Sequence, residues 1–405
     1  MTEIPAVRLS PPAFLHERGI APILAALPGA RVVGGAVRDT LAATPVSDID
    51  VGAPQPPDEV VRRLEGAGFR TIPTGLAHGT VTAISDGHPV EITTLRRDVE
   101  TDGRHAVVAF TDDWQADAAR RDFTINAMSM RGDGAVFDYF EGIADLRAGK
   151  VRFVGDPATR ISEDYLRILR YFRFFARYAR ETPDPTTLAA IREGMSGLPR
   201  LSPERVWNEL KRILAAHDPS AAVALMAQLG VLQAVLPEGA DSARLTRMIS
   251  HGAPDDPLLR FAALLTGDAE HVADRLKLSG EERDALLAWR SGPVPRPHDD
   301  DAALRRLLAE QDQQVLLGRS WIEGDEQPGW AEMRSRLTAM PRPVFPLQGR
   351  DVLALGLPPG PPVGQLLHHV RTWWLAGGCT ANREACLQEL AHIAKVPPNP
   401  PRSSE

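Results

Sequence analysis

Cysteine is almost absent: only Cys379 and Cys386 occur in 405 residues. Seven apart on one expected helix, they lie about 10 Å from each other at ~1.5 Å rise per residue, too far for an internal disulfide. A disulfide-stapled secreted scaffold is thereby excluded, and a reducing cytoplasm is the expected compartment. No stretch approaches the ~18 consecutive apolar residues that a membrane-spanning helix needs. The first residues, Met1-Thr2-Glu3-Ile4-Pro5, have neither the basic n-region nor the apolar h-region of a signal peptide, so none is expected. Basic excess is missing too. The formal net charge of −7 argues against a chain coated with nucleic acid, although it leaves room for a local basic track. No internal repeat is found.

What is present is enough chain for two to four compact units with sizeable cores. Up to about residue 155, short β-like and helical segments alternate, which predicts a small α/β domain. Strands are expected at Arg31–Gly34, Asp48–Gly52, Thr80–Ile84, Val90–Leu95 and Ala135–Tyr139, and helices at Pro12–Leu27, Asp58–Gly66 and Asp122–Met130. The charged, Gly-containing stretch Arg96–Ala106 predicts a mobile loop. Beyond residue 155 the strand signals vanish. Glu204–Ala216, Ser220–Leu229 and Ala302–Glu310 repeat apolar residues at helical spacing, so the remainder is expected to be all helical. Pro/Arg-rich seams at 293–297 and 340–343 predict linkers, and 397–405 a disordered tail.

The most informative stretch is Gly34-Gly35-Ala36-Val37-Arg38-Asp39, followed by Asp48-Ile49-Asp50. Paired glycines after the apolar run Arg31-Val32-Val33 predict a strand ending in a tight turn that lets backbone approach a ligand. A short helix from Ala36 to Leu41 would set Arg38 beside the same pocket, and helix N-termini favour anions. On a strand, Asp48 and Asp50 would share a face, and two adjacent carboxylates repel unless a cation lies between them. Either feature alone reads as an ordinary turn or cap. Together, a phosphate cradle beside a carboxylate pair is the equipment of phosphoryl or nucleotidyl transfer. Glu91 adds a charge inside an apolar strand, either as a third metal-site carboxylate or as an acid facing water on an edge strand.

Two further clusters follow. Arg120-Arg121-Asp122-Phe123-Thr124-Ile125-Asn126 offers arginines for phosphate, with Asp122 and Asn126 able to bond sugar hydroxyls; Asp122 could equally cap a helix. From Glu163 to Arg180, Arg167, Arg170, Arg173, Arg177 and Arg180 recur at steps of three and four, on one side of an expected helix. Few acids lie along that row, so an anionic ligand explains it better than a solvated face.

GGAVRD, DID, RRDFTINAM, DYFEGIADLRAGKVRFVG and EDYLRILRYFRF occur in order over about residues 31–180, with a weaker likeness in GRDVLALGLPPGPPVGQLL near 349–367. This set resembles the class II tRNA nucleotidyltransferase and bacterial poly(A) polymerase family. The resemblance implies an α/β head of polymerase-β-like nucleotidyltransferase type at 1–155. An all-α neck (156–216), body (217–345) and tail (346–396) would follow in a seahorse arrangement, the helical parts holding tRNA by its 3′ end and acceptor/elbow region. It implies that Gly34, Gly35 and Arg38 hold the triphosphate, and that Asp48 and Asp50 coordinate two Mg²⁺ ions with Glu91 helping. Arg121, Asp122 and Asn126 would contact the nucleotide, Asp122 favouring ribonucleotides. Asp164 and Arg167 would read the Watson–Crick edge of CTP or ATP, with Arg170 and Arg173 continuing the row. An Asp acceptor beside an Arg donor complements both cytosine and adenine and leaves uracil and guanine with like groups facing.

The implied activity is template-independent addition of CCA to tRNA by in-line attack, with pyrophosphate leaving. Alternatives within the family are a poly(A) polymerase or an enzyme adding only CC or only A. The charged 96–106 stretch resembles complete CCA-adding members, and no long basic C-terminal extension suggests a poly(A) polymerase. A catalytically inactive RNA-binding protein is the distant alternative, against which Asp48 and Asp50 stand intact. His217-Asp218 reads as a helix-end pair rather than part of a phosphohydrolase.

Overall fold

The computed structural model describes residues 3–75, 79–101 and 106–394. The chain divides into two compact units, Met1–Gly239 and Ala240–Glu405. In the first, strands β1 (Val7–Arg8), β2 (Arg31–Val33), β3 (Asp50–Ala53), β4 (Arg70–Gly75), β5 (Thr80–Ser85), β6 (His88–Thr94), β9 (Met128–Met130) and β10 (Ala135–Asp138) form one sheet. Its order is β1-β10-β9-β2-β3-β6-β5-β4. Among the paired neighbours, β3 and β6 run parallel and the others antiparallel. Val32, Val51, Val81, Ala83 and Ile92 are fully buried beneath it, and alternation then turns Asp50, Thr82 and Glu91 to the opposite face.

Several expected elements take a different form. Pro12–Leu27 is two helices, Phe14–Glu17 and Ile20–Ala26, broken at Gly19, whose φ of 63° no ordinary helix accepts. Strand β3 begins at Asp50, so Asp48 lies in the preceding coil and not on the strand. The predicted helix Asp122–Met130 is instead an isolated bridge Phe123–Phe153, a 3₁₀ turn Thr124–Asn126 and strand β9. The reason is burial: residues 122–130 are enclosed throughout, so no amphipathic period exists to favour a helix. The predicted mobile loop is a two-stranded sheet of β7 (Arg96–Thr101) and β8 (Ala106–Phe110); the intervening 102–105 and the predicted tail 397–405 lie outside the described residues.

From Pro157 onward the elements are helical. The helix predicted from Glu163 to Arg180 is instead Leu166–Tyr178, with Glu163 closing a separate helix, Pro157–Glu163; Asp164, extended at φ −157°, stands between them and accepts from Leu166 N at 3.0 Å. The second helix ends at Tyr178, so Arg180 is beyond it. Phe123 packs on Phe153 (centroids 4.6 Å apart) and Phe174 (5.1 Å), which fastens that helix to the sheet domain.

The second unit is helical as well. Leu304, Leu308, Leu316, Trp330, Met333 and Leu337 form one core, and Leu347, Val352, Val370, Trp374, Cys386 and Leu390 another. Cys386 is on helix Arg383–Ala394, whereas Cys379 has φ 61° in the turn before it, so the two do not share a helix; both are free. The Pro-rich seams fall between helices inside this unit. Among the described residues no helix is long and apolar enough to cross a membrane.

Candidate active site

Strand register sets the carboxylates. Val33 pairs with Asp50, Asp50 with Glu91, and Glu91 with Thr82, a rank across four adjacent strands. Because β6 is flanked by β3 and β5, Glu91 is on an interior strand and not an edge; its exposure comes from the cleft it faces. Asp48, Asp50 and Glu91 line this cleft of about 650 Å³ together with Arg18, Ser47 and His88. Ser47 donates to Asp48 Oδ2 at 3.2 Å, and Arg18 Nη1 donates to the Ser47 carbonyl at 2.6 Å. Asp50 opens to the cleft on one side and is crowded by protein on the others. Burial first, then the Glu91 and Asp48 charges, push its carboxyl above the ordinary range, with Arg121 opposing.

Strand β2 leads from this rank into the glycine turn. Gly34 has φ 66°, and a Cβ there would sit 3.2 Å from Arg121 Nη1, so glycine lets the guanidinium lie against the backbone. Arg121 and Arg120 both pair with buried Asp117, at 3.0 and 2.8 Å. Burial alone would raise the Asp117 carboxyl, but Arg121 and Arg120 outweigh it and hold it below the usual range.

Arg38, on helix Gly35–Leu41, is buried rather than open to solvent. Its Nη1 donates to Asn126 Oδ1 at 2.5 Å and its Nε to Asp39 Oδ1 at 3.0 Å and Tyr178 Oη at 2.8 Å. Asn126 Nδ2 donates to Asp122 Oδ1 at 3.1 Å, and Arg170 Nε to Asp122 Oδ2 at 2.6 Å. Arg38, Asn126, Asp122 and Arg170 are thus joined in one hydrogen-bonded chain, with Gly35 close to Arg38 and Gly34 close to Arg121, whose charge acts on Asp50.

The arginine row departs from expectation. Its neutralising acids come from other elements: Arg167 pairs with Glu163, Arg170 with Asp122, and Arg173 with Glu209 of helix Pro203–Leu214 at 3.1 Å. Arg173 is thereby engaged by the helix Pro203–Leu214. Asp164 pairs with Arg205 at 2.6 Å. Sequence reading missed Asp39, Asp117, Tyr178, Arg205 and Glu209. Asp39 carried a signal, being the last residue of the glycine motif, whereas Tyr178 and Glu209 had none. It also missed that Asp145 accepts from Thr124 Oγ1 at 2.6 Å and Arg152 Nε at 3.0 Å, so the DYFEGIADLRAGKVRFVG segment braces the 3₁₀ turn.

Residues 30–152 match the model of the poly A polymerase head domain, and 182–242 that of a probable RNA and SrmB-binding site of polymerase A. The chain is 38% identical over 378 residues to CCA tRNA nucleotidyltransferase 1, mitochondrial, of Danio rerio, spanning 89% of this chain and 86% of that protein. The chain belongs to the CCA-adding enzyme and poly(A) polymerase family. The CCA-adding enzyme of Levilactobacillus brevis is 31% identical, over 83% of this chain and 86% of its own. The crystal structure of Bacillus stearothermophilus CCA-adding enzyme in complex with CTP superposes with a TM-score of 0.73 at 26% identity, covering 95% of this chain and 98% of that one. The matched head contains the glycine turn, the carboxylate rank and the Arg120–Asn126 cluster.

Among the described residues no three His, Cys, Asp or Glu side chains converge into a ready-made metal cage. Mg²⁺ in transfer sites takes one or two carboxylates and completes its octahedron with substrate phosphates and water. Asp48 and Asp50 supply hard oxygens at an open cleft, and the like-charge crowding on Asp50 is what a divalent cation relieves. These residues fit Mg²⁺.

Proposed function

We propose that the protein adds C, C and A in turn to the 3′ end of tRNA from CTP and ATP, releasing pyrophosphate. The observation that carries this reading is the juxtaposition of Asp50 with the glycine turn and Arg121 on one side and an open acidic cleft on the other. The named relatives are CCA-adding enzymes, and their likeness extends over most of the chain.

In this reading, Gly34 and Gly35 present backbone to the triphosphate, while Arg38 and Arg121 bind its oxygens. Asp122 and Asn126 would reach the ribose hydroxyls by exchanging hydrogen bonds they now make with each other, Arg38 and Arg170. Asp164 accepts from the exocyclic amine of cytosine or adenine and Arg167 donates to the adjacent ring nitrogen, in place of a nucleic-acid template. Arg170 and Arg173 support that reading surface through Asp122 and Glu209. Asp48 and Asp50, with Glu91 alongside, would hold two Mg²⁺ ions, which when bound would supply Lewis acidity and charge neutralisation for the phosphates. The chain's own contribution is to orient triphosphate and acceptor in line. The helical parts bind the acceptor and elbow regions of tRNA. The free cysteines suit a reducing compartment, and we place the protein in the cytoplasm, although the Danio rerio relative is named mitochondrial.

The test is incubation with Mg²⁺ and tRNA transcripts ending at the discriminator base, at C or at CC, with CTP, ATP or both, resolved to single nucleotides. Growth by C, C and A with a clean stop is expected. A stop at CC despite ATP makes it a CC-adding enzyme, unlimited A addition a poly(A) polymerase, and RNA binding without transfer an inactive RNA-binding protein.

A further inference from the structure

The cleft has a second chemical character besides its acids. Arg18 and His88 line it together with Asp48, Asp50 and Glu91. Arg18 has no acidic partner among the described residues; it donates to the Ser47 carbonyl. It is also fixed in place from below. Gly19, next in sequence, is pressed against β5, where a Cβ would come within 2.1 Å of Ser85 Oγ, and Ser85 donates to the Gly19 carbonyl at 2.9 Å. An arginine on a pinned turn, lacking a carboxylate and facing a cleft, is prepared for an anion from outside.

The position of the cleft relative to Asp50 says which anion. Gly34, Arg38, Arg121, Asp122 and Asn126 lie toward β2 and the helix Leu166–Tyr178, and none of them lines the cleft. Arg18, His88 and Glu91 lie toward β5 and β6, on the other side of Asp50. In-line displacement requires nucleophile and leaving group on opposite sides of the reacting phosphorus. If the glycine-turn side takes the triphosphate, the cleft receives the nucleophile.

We propose that this cleft is the acceptor-end site, and that Arg18 binds the 3′-terminal phosphodiester of the RNA to hold the 3′-hydroxyl against Asp48 and Asp50. This rests on the nucleotidyl-transfer reading above. The step is attack of the 3′-oxygen on the α-phosphorus, forming one P–O bond as the bond to pyrophosphate breaks and the hydroxyl proton passes to solvent water in the open cleft; Arg18 binds and orients, and takes no proton.

The experiment compares wild type, Arg18→Ala, Arg18→Gln and Arg18→Lys in steady-state addition of A to a tRNA transcript ending in CC. KM is measured separately for tRNA and ATP, across a salt series, with ATP binding followed directly. Arg18→Ala is expected to raise the tRNA KM about tenfold and to lower the salt slope of tRNA binding by about one. ATP affinity should stay within about twofold, and lysine should recover most of the loss, as a single charge-assisted phosphate contact predicts. Arg18→Gln keeps a donor without the charge and gives the same comparison should the alanine variant fail to fold. A fall in kcat with unchanged tRNA KM would make Arg18 a brace for the Asp48 segment and overturn the proposal. So would an ATP KM that rises equally, or no change at all. Wild-type protein that transfers nothing to any transcript would overturn the transfer reading itself, an outcome separate from either.

Discussion

Asp122 and Arg170 tie the sheet domain to the helix Leu166–Tyr178: Arg170 Nε donates to Asp122 Oδ2 at 2.6 Å, while Asp122 Oδ1 accepts from Asn126 and from the Phe123 amide. The carboxylate is buried with both oxygens occupied. Removing one partner leaves the other charged and short of bonds, which is where buried pairs become costly. Asp122→Ala is therefore expected to lose about 3 kcal/mol in urea unfolding, at the low end for such pairs because Arg170 is 29% exposed. The double variant Asp122→Ala/Arg170→Ala should lose clearly less than the two single losses added together. Strict additivity would show that the pair does not couple.

The same carboxylate gives stability an acid limb. Burial would raise Asp122, but Arg170 and the Asn126 hydrogen bond outweigh it and hold its carboxyl below the ordinary range; Asp117, under Arg121 and Arg120, behaves likewise. A depressed folded value means stability that is fully present above the unfolded value of about 4 and is lost as pH falls below it. Urea midpoints measured from pH 6 to pH 3 should decline at the acid end. Asp122→Asn should flatten that decline while starting from a lower plateau; an unaltered acid slope would mean the shift contributes nothing.

Most of the site was readable because its parts are local. Gly34, Asp50 and the Arg120–Asn126 cluster are each short motifs whose chemistry survives a wrong guess about the element carrying them. Asp122 still meets Asn126 and Arg170 although the predicted helix around it is a 3₁₀ turn and a strand. What could not be read was pairing across distance. Glu209 and Tyr178 lie 36 and 140 residues from the arginines they meet, and no local period encodes such contacts. The arginine row consequently looked unneutralised, and Asp164 looked helical where it breaks the helix. Asp48 was placed on a strand because alternation was extended two residues too far.

Asp50 faces Glu91 directly across the parallel pair, with Asp48 nearby. Like charges directly opposite on a sheet cost a few tenths to about 1 kcal/mol. In metal-free buffer near neutral pH, Asp50→Asn is expected to raise Tm by about 2 °C while abolishing transfer, a shift consistent with less than ~1 kcal/mol in a unit of this size. Added Mg²⁺ with CTP should stabilise wild type and leave the variant unmoved. Lower Tm in the variant would show that the repulsion is already relieved in the free protein.

Gly34 is a turn residue for two reasons at once, its φ of 66° and the Arg121 guanidinium 3.2 Å from the missing Cβ. Gly34→Ala places a Cβ on a backbone (φ 66°, ψ −122°) that L residues rarely adopt, at a cost of about 1–3 kcal/mol, and pushes Arg121 aside. Calorimetry should show the loss in Tm, and the KM for CTP should rise more than that for tRNA. Equal rises would place the damage in the fold and not in nucleotide binding.

Tyr178 Oη accepts from Arg38 Nε at 2.8 Å and donates to Asp39 Oδ1 at 2.6 Å, so one hydroxyl fixes both charged residues of the glycine motif. Burial first, with Asp39 adding and Arg38 opposing, pushes the phenol up to about 12. It therefore keeps its proton throughout the neutral range and remains able to donate. Tyr178→Phe keeps the ring beneath Arg38, whose guanidinium carbon lies 4.9 Å from its centroid, and removes only the bridge. Losing these bonds should cost about 1–2 kcal/mol in unfolding. With Arg38 freer to pivot away from the triphosphate, the KM values for CTP and ATP should rise together by a few-fold, with the tRNA KM unchanged. The paired rise is the decisive feature, because Arg38 would meet phosphates common to both nucleotides. A change confined to one nucleotide would assign Tyr178 to base selection, and none in either would leave it a structural tether.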